Sequence, residues 1–252
     1  MPVRYFLELS YKGTNYSGFQ TQQNANTVQD EVEKAFKILQ RAPVMLTGSS
    51  RTDAGVHALQ NFFHFDFEDK IHPDFVYKMN AILPDDIVVK GLYPVGAEQH
   101  SRFDALSRLY HYYIYNSKNP FLEDRAYYFP YTIDFDKLQQ SAKLLFEFSD
   151  FTSFSKRNTQ VKTFQCVIKQ SEWFWENGCL VYRVEADRFL RGMVRALTAT
   201  MLKVGRGKLT LDDFRQIIAD KDNTKAHFDV PGHGLFLQQV IFPEALKKTF
   251  SL

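Results

Sequence analysis

The densest gathering of reactive side chains is Gly48-Ser49-Ser50-Arg51-Thr52-Asp53-Ala54-Gly55-Val56-His57. From Arg51 to His57 it holds a cation, a carboxylate (Asp53) and an imidazole. Small residues separate them, so a bulky substrate can come close, and the flanking glycines permit backbone angles closed to other residues. A carboxylate placed in this way can act as nucleophile, general base or metal ligand. A metal site would recruit His57, with His64 and Asp66 on the strand beyond. Against that option, strand alternation sets His64 and Asp66 opposite Phe63, Phe65 and Phe67, and no second His or Cys cluster completes a ligand set. His64 is therefore expected to be a half-exposed strand residue, and His57 to shape the loop by hydrogen bonding. The plain alternative is a surface turn closed by an Arg–Asp pair.

The elements that must position this loop follow from periodicity. Tyr5, Leu7, Leu9 and Tyr11 alternate through a strand over 3–11, and a polar loop rich in Gly, Asn and Gln runs to Asn26. Thr27-x-x-Asp30 is a helix-start signal, after which Val28, Val32, Ala35, Phe36 and Leu39 recur at helical spacing. Pro43 ends that helix before a short strand over 44–47. A strand through Phe63–Phe67, a helix from Pro73 to Pro84 and a strand over 87–95 complete a β-α-β-β-α-β order. The order then repeats: a strand over 109–116, a helix over 135–146 and a hairpin about Asn177-Gly178. A helix ending near Gly205, an extra helix from Thr210 and a strand over 235–242 follow. This predicts an α+β protein of two ferredoxin-like halves with mostly antiparallel sheets, joined around a central cleft. The division is an N-terminal α+β domain over 1–105, carrying the Asp53 loop, and a C-terminal α+β domain over 106–252.

Composition narrows the function classes. The 252 residues are 44% hydrophobic, enough for large cores, yet no uninterrupted apolar run exceeds four residues. A membrane span needs about twenty, so no membrane association is expected. The chain enters its first strand within five residues, with no signal peptide before it, and Cys166 and Cys179 make no disulfide framework. These features point to the cytoplasm. The net charge is only +2, so a nucleic-acid partner would need a local basic surface. The 24 Phe and 13 Tyr can fill cores or stack on bases.

Arg51-Thr52-Asp53-Ala54-Gly55-Val56-His57-Ala58 resembles the hallmark of the TruA-type tRNA pseudouridine synthases. The resemblance extends to Tyr11-x-Gly13-Thr14-x-Tyr16-x-Gly18-Phe19-Gln20-x-Gln22 and Thr27-Val28-Gln29. It continues through Leu83-Pro84-Asp85-Asp86-Ile87, Arg102-Phe103-Asp104-Ala105 and Arg108-x-Tyr110-x-Tyr112. Asp150–Phe154, Met193-Val194-Arg195 and Gly234-Leu235-Phe236-Leu237 complete it, in the family's order over nearly the whole chain. Ser49-Ser50 departs from the family's common Ala-Gly, and Phe19 from a frequent Trp.

The resemblance implies an isomerase that turns uridine into pseudouridine in tRNA, at positions 38–40 of the anticodon stem-loop. It implies Asp53 as the catalytic aspartate, Tyr110 as the platform under the target base and Arg195 as the arginine paired with the catalytic carboxylate. Arg51 is the residue that enters the stem and helps to flip the nucleotide. Arg102 and Phe103 fall in an RNA-contacting stretch. It also implies a homodimer with no metal and no cofactor. Arg102, Arg108, Lys118, Lys156, Arg157 and Lys162 are candidates for a basic lining. Two other classes stay open: a metal-dependent hydrolase using Asp53 and His57, and a non-catalytic RNA-binding module.

Overall fold

The computed structural model describes residues 2–157 and 161–251, in two compact units: Met1–Leu106 with Leu237–Leu252, and Ser107–Phe236. The strand Val3–Tyr11 pairs antiparallel with His57–Phe67 and Ile87–Val95, and Thr47–Gly48 pairs antiparallel with His57–Phe67. Cys179–Ala186 pairs antiparallel with Ser107–Tyr115 and Ile168–Glu176, and the short pair of Ser107–Tyr115 with Tyr127–Tyr128 is parallel. The protein is thus of mixed α and β structure with mostly antiparallel sheet.

The first unit is built on β1 (Val3–Tyr11), β2 (Thr47–Gly48), β3 (His57–Phe67) and β4 (Ile87–Val95), with hydrogen-bonded order β4-β1-β3-β2. The helices α1 (Val28–Gln40) and α2 (Phe75–Ile82) connect them. The α1 start behaves as its residues dictate: the Thr27 side chain accepts the Asp30 backbone N–H at 3.2 Å and donates to the Asp30 carboxylate at 2.7 Å. Val28, Val32, Ala35 and Phe36 turn inward, and the Phe36 ring meets Phe65, Phe67 and Phe75 edge-on. The second short strand covers only Thr47–Gly48, not 44–47.

His64 differs from its expectation: it is buried, with 7% of its surface exposed. Alternation does set it opposite Phe63 and Phe65, but that second face is covered too. Phe6 and Phe62 pack there on Phe242 and Phe250 from the C-terminal segment. The His64 Nδ1 is 2.9 Å from the Ser101 hydroxyl.

The second unit holds β5 (Ser107–Tyr115), β6 (Tyr127–Tyr128), β7 (Ile168–Glu176) and β8 (Cys179–Ala186), in the order β5-β8-β7 with β6 parallel to β5. Asn177 and Gly178 both take positive φ (50° and 77°), the conformation a two-residue hairpin needs. The helices are α3 (Phe135–Leu144), α4 (Met193–Gly205) and α5 (Leu211–Ala219). α4 is almost wholly buried, and its Thr198 and Thr200 hydroxyls donate back to the Val194 and Ala196 carbonyls. A reciprocal Thr210–Asp213 capping box starts α5. Strand β9 (Leu235–Ile241) returns the chain to the first unit, and α6 (Glu244–Lys247) follows. Among the described residues, no helix is long and apolar enough to cross a membrane.

Candidate active site

Asp53 opens a turn: its carbonyl accepts the Val56 N–H at 3.2 Å, with Gly55 at φ +76°. Around this turn the polar N-terminal segment closes as a clamp. The Phe19 N–H donates to the Thr52 carbonyl at 3.1 Å, and the Gly55 N–H to the Tyr16 carbonyl at 3.3 Å. The Gly13 N–H donates to His57 Nδ1 at 3.0 Å. Two glycines make this approach possible. A Cβ at Gly13 would run into the Val56 carbonyl, and Gly18 lies at φ +121° with the Thr52 carbonyl 3.1 Å from where its Cβ would be.

Side chains fix the base of the loop. The Tyr11 and Thr52 hydroxyls meet at 2.8 Å, and Asn61 Nδ2 donates to the Ser50 carbonyl at 2.9 Å and the Tyr11 hydroxyl at 3.2 Å. Below, Phe19 stacks on Phe63 with ring centroids 4.5 Å apart. Asp86 holds the far end of the clamp: it accepts from the Tyr16 hydroxyl and from Asn15 Nδ2, while its carbonyl accepts the Lys12 N–H at 2.8 Å. Burial and this carboxylate push the Tyr16 phenol well above its ordinary range. Tyr16 thus stays a neutral phenol donating to Asp86, and Asp53 on the turn is half-buried.

His57 is 2% exposed and its Nδ1 accepts the Gly13 N–H, which commits that nitrogen to shaping the loop. Among the described residues, no group of three or more His, Cys, Asp or Glu is placed to hold a metal ion. Ser49 and Ser50 are both buried, and the Ser50 hydroxyl has no hydrogen-bond partner. Arg51 is exposed.

The second unit carries Tyr110 and Arg195. Tyr110 lies on β5, 8% exposed, with Phe189 edge-on at 5.2 Å. Arg195 sits in the first turn of α4, where its guanidinium Nε and Nη2 donate to the Val230 carbonyl at 3.0 and 2.6 Å. The neighbouring Tyr112 hydroxyl donates to the Pro231 carbonyl at 2.8 Å, and Gly234 leaves room for its ring. The segment 230–234 thus braces both strand and helix.

Arg102 and Phe103 form an exposed pair next to the first unit's His64. Phe103 is 75% exposed and packs on the His100 ring at 4.2 Å, with the Arg102 guanidinium 5.9 Å from its centroid. His100 Nδ1 accepts both their backbone N–H groups. Of the proposed basic lining, Arg108 Nη1 donates to the Asp187 carbonyl at 3.1 Å and Arg157 Nε to Asn223 at 3.2 Å. Side-chain chemistry alone missed Tyr11, Asn61 and Asp86. Tyr11 and Asp86 lie within the flanking motifs, whereas Asn61 falls beyond them, its only sign being an amide inside a strand of aromatic residues.

The family described as tRNA pseudouridine synthase matches residues 9–104 and 143–243. A protein of Parabacteroides distasonis named tRNA pseudouridine synthase A is 49% identical over 246 residues, covering 96% of this chain and 97% of its own length. Its namesake in Porphyromonas gingivalis is 44% identical over 249 residues (97% and 99%), and that of Staphylococcus aureus 35% over 245 (96% and 92%). Identity at this level along nearly the full length, on top of a motif-bearing loop gripped from three sides, means that the chain belongs to the tRNA pseudouridine synthase family.

Proposed function

We propose that this protein is an isomerase that converts uridine to pseudouridine in tRNA, with the Asp53 carboxylate attacking the target nucleoside. The observation that carries the reading is the clamped turn: main-chain hydrogen bonds from Tyr16 and Phe19 hold a half-exposed aspartate beside an exposed arginine. The reaction breaks the N1–C1′ bond, turns the base and joins C5 to C1′; C5 gives up its proton and N1 gains one. Oxidation state is unchanged and no phosphoryl group moves, so the chemistry calls for neither a redox group nor a nucleotide.

A uridine in a stem must first leave the stack, at a cost of a few kcal/mol. Arg51 takes the vacated place. Tyr110 offers the extruded base a stacking surface worth about 1–3 kcal/mol, and Arg195 supplies a positive charge to the reacting centre. Arg102 and Phe103 contact the RNA outside it. The family resemblance supports positions 38–40 of the anticodon stem-loop as targets, a homodimer as the working form and the cytoplasm as the compartment. Each half is read as ferredoxin-like, the order β4-β1-β3-β2 supporting this for the first. Residues 1–105 then supply the nucleophile, and 106–252 supply Tyr110 and Arg195.

The test is tritium release from tRNA labelled at uridine C5. Wild-type protein releases it. Folded Asp53→Asn, with tRNA affinity close to wild type, falls by several orders of magnitude, as loss of a covalent nucleophile does. A folded Asp53→Asn protein working at near wild-type rate would remove Asp53 from the chemistry.

A further inference from the structure

A cavity of about 130 Å³ opens beside Arg51, lined also by Phe19, Gln20, Gln29, Leu46, Thr47 and Gly48. Its buried members are the apolar side chains of Phe19 and Leu46, and its exposed members are Gln20 and Arg51. Its accessible lining is thus mainly polar with a cationic rim, and Phe19 and Leu46 close it from behind. Gly48 belongs to the wall because a Cβ there would strike the Phe19 ring. Small-molecule sites usually occupy about 300–1,000 Å³. This one is smaller, with room for one ring and not for a whole nucleotide.

The polar groups suit the edge of a base. Gln29 is fixed: its Nε2 donates to Glu33 Oε1 at 2.8 Å and to the Leu46 carbonyl at 3.0 Å. Its Oε1 receives only a long contact from the Thr21 N–H, at 3.4 Å, so it retains capacity to accept an N–H. Gln20 adds an exposed amide that both donates and accepts, and Thr47 lines the same wall. None of these side chains has a part in the chemistry at Asp53. Arg51 lines the cavity, and Asp53 follows it by two residues.

We propose that this cavity is a second nucleobase site, which receives the base of a nucleotide adjacent to the flipped uridine. This rests on the reading of the protein as a tRNA-modifying enzyme with Arg51 entering the stem. The site fixes the register of the RNA: with one neighbouring base held against Gln20, Gln29 and Arg51, the uridine beside it is delivered to Asp53.

The experiment uses the full-length protein and tRNA transcripts in which each neighbour of the target uridine is replaced in turn by an abasic residue. Dissociation constants and single-turnover rates are measured for wild type, Gln20→Ala and Leu46→Trp, with thermal melting to confirm folding. Wild type is expected to bind about tenfold more weakly when one of the two neighbours is abasic, and to be indifferent to the other. Leu46→Trp fills the cavity and should bind intact tRNA about tenfold more weakly, with no further loss on the abasic transcript. Gln20→Ala, at an exposed position that does not threaten the fold, should show the same non-additivity at smaller size. Additive losses in both variants, or no loss on either abasic transcript with wild type, would overturn the assignment. Tritium release by wild type from intact tRNA is scored separately: its absence defeats the enzymatic reading, whereas its presence with additive losses defeats only the base site.

Discussion

The two units hold the residues proposed to act in them by different means. In the first, Asp53 lies on a turn gripped by backbone groups of a segment some thirty-five to forty residues earlier, and the approach depends on glycine at 13 and 18. In the second, Tyr110 and Arg195 project from a regular strand and a buried helix, and the Val230 carbonyl accepts two hydrogen bonds from the Arg195 guanidinium. The first arrangement is vulnerable to a single added methyl group. The second tolerates changes of shape and is vulnerable to loss of charge.

Arg195→Met sharpens the contrast most. It keeps length and helix propensity but removes the charge, so kcat should fall about 10²–10³-fold, the range for losing a preorganised electrostatic group. The melting temperature should drop only modestly, because α4 keeps its apolar burial. Unfolding of the second unit instead would show that Arg195 is structural.

Gly13→Ala probes the opposite dependence. The new Cβ meets the Val56 carbonyl, so the clamp and the Asp53 turn must separate, and turnover should fall on the order of a hundredfold. The control is Gly207→Ala in the second unit, at φ +69° with nothing within 4 Å of the new Cβ. It should cost about 1–2 kcal/mol of stability through backbone strain alone, with kcat unchanged. Equal activity in the two variants would refute the idea that the clamp positions Asp53.

Asp86→Asn is milder. It weakens the hydrogen bonds to Tyr16 and Asn15 while leaving the Lys12–Asp86 main-chain bond in place. Because Asp86 acts through the clamp, kcat should drop about tenfold with KM nearly constant, as expected for a displaced turn. A rise in KM at constant kcat would assign Asp86 to RNA binding.

The same contrast explains what sequence could and could not reveal. Arg51, Asp53 and His57 were legible because their types and spacing are unusual for a turn, and α1 and the β7–β8 hairpin because Thr27-x-x-Asp30 and Asn177-Gly178 are local signals. The clamp was not: it is made of main-chain groups from Tyr16 and Phe19, which leave no side-chain trace except the glycines. Nor was the burial of His64. Its strand parity was read correctly, but the cover over that face comes from Phe242 and Phe250, nearly two hundred residues away. Local patterns specify which face a residue takes, and only the folded chain specifies what lies against it.

One buried histidine in each unit, His64 in the first and His111 in the second, is held neutral by its surroundings, and these two give the smallest expected effect. Burial pushes His64 down to about 4, helped by the positive charge of Arg4 and by His100. Burial, with the Arg183 guanidinium next to it, does the same to His111. In the unfolded chain both titrate near 6.5. Between pH 6.5 and 4 the unfolded state therefore binds protons that the folded state refuses, so stability falls on acidification through that window and levels off below it. Each histidine contributes at most about 1.4 kcal/mol per pH unit, or a few degrees in melting temperature for a chain of this size. Melting of wild type, His64→Gln and His111→Gln from pH 7.5 to 4.5 measures it. Each substitution should lower stability at pH 7.5 and flatten the acid slope by a similar amount, because the two sites share one cause despite their different neighbours. If His64→Gln leaves the slope unchanged while His111→Gln flattens it, the acid response belongs to the Arg183-facing site in the second unit, and the Ser101-bonded histidine of the first is protonated without penalty.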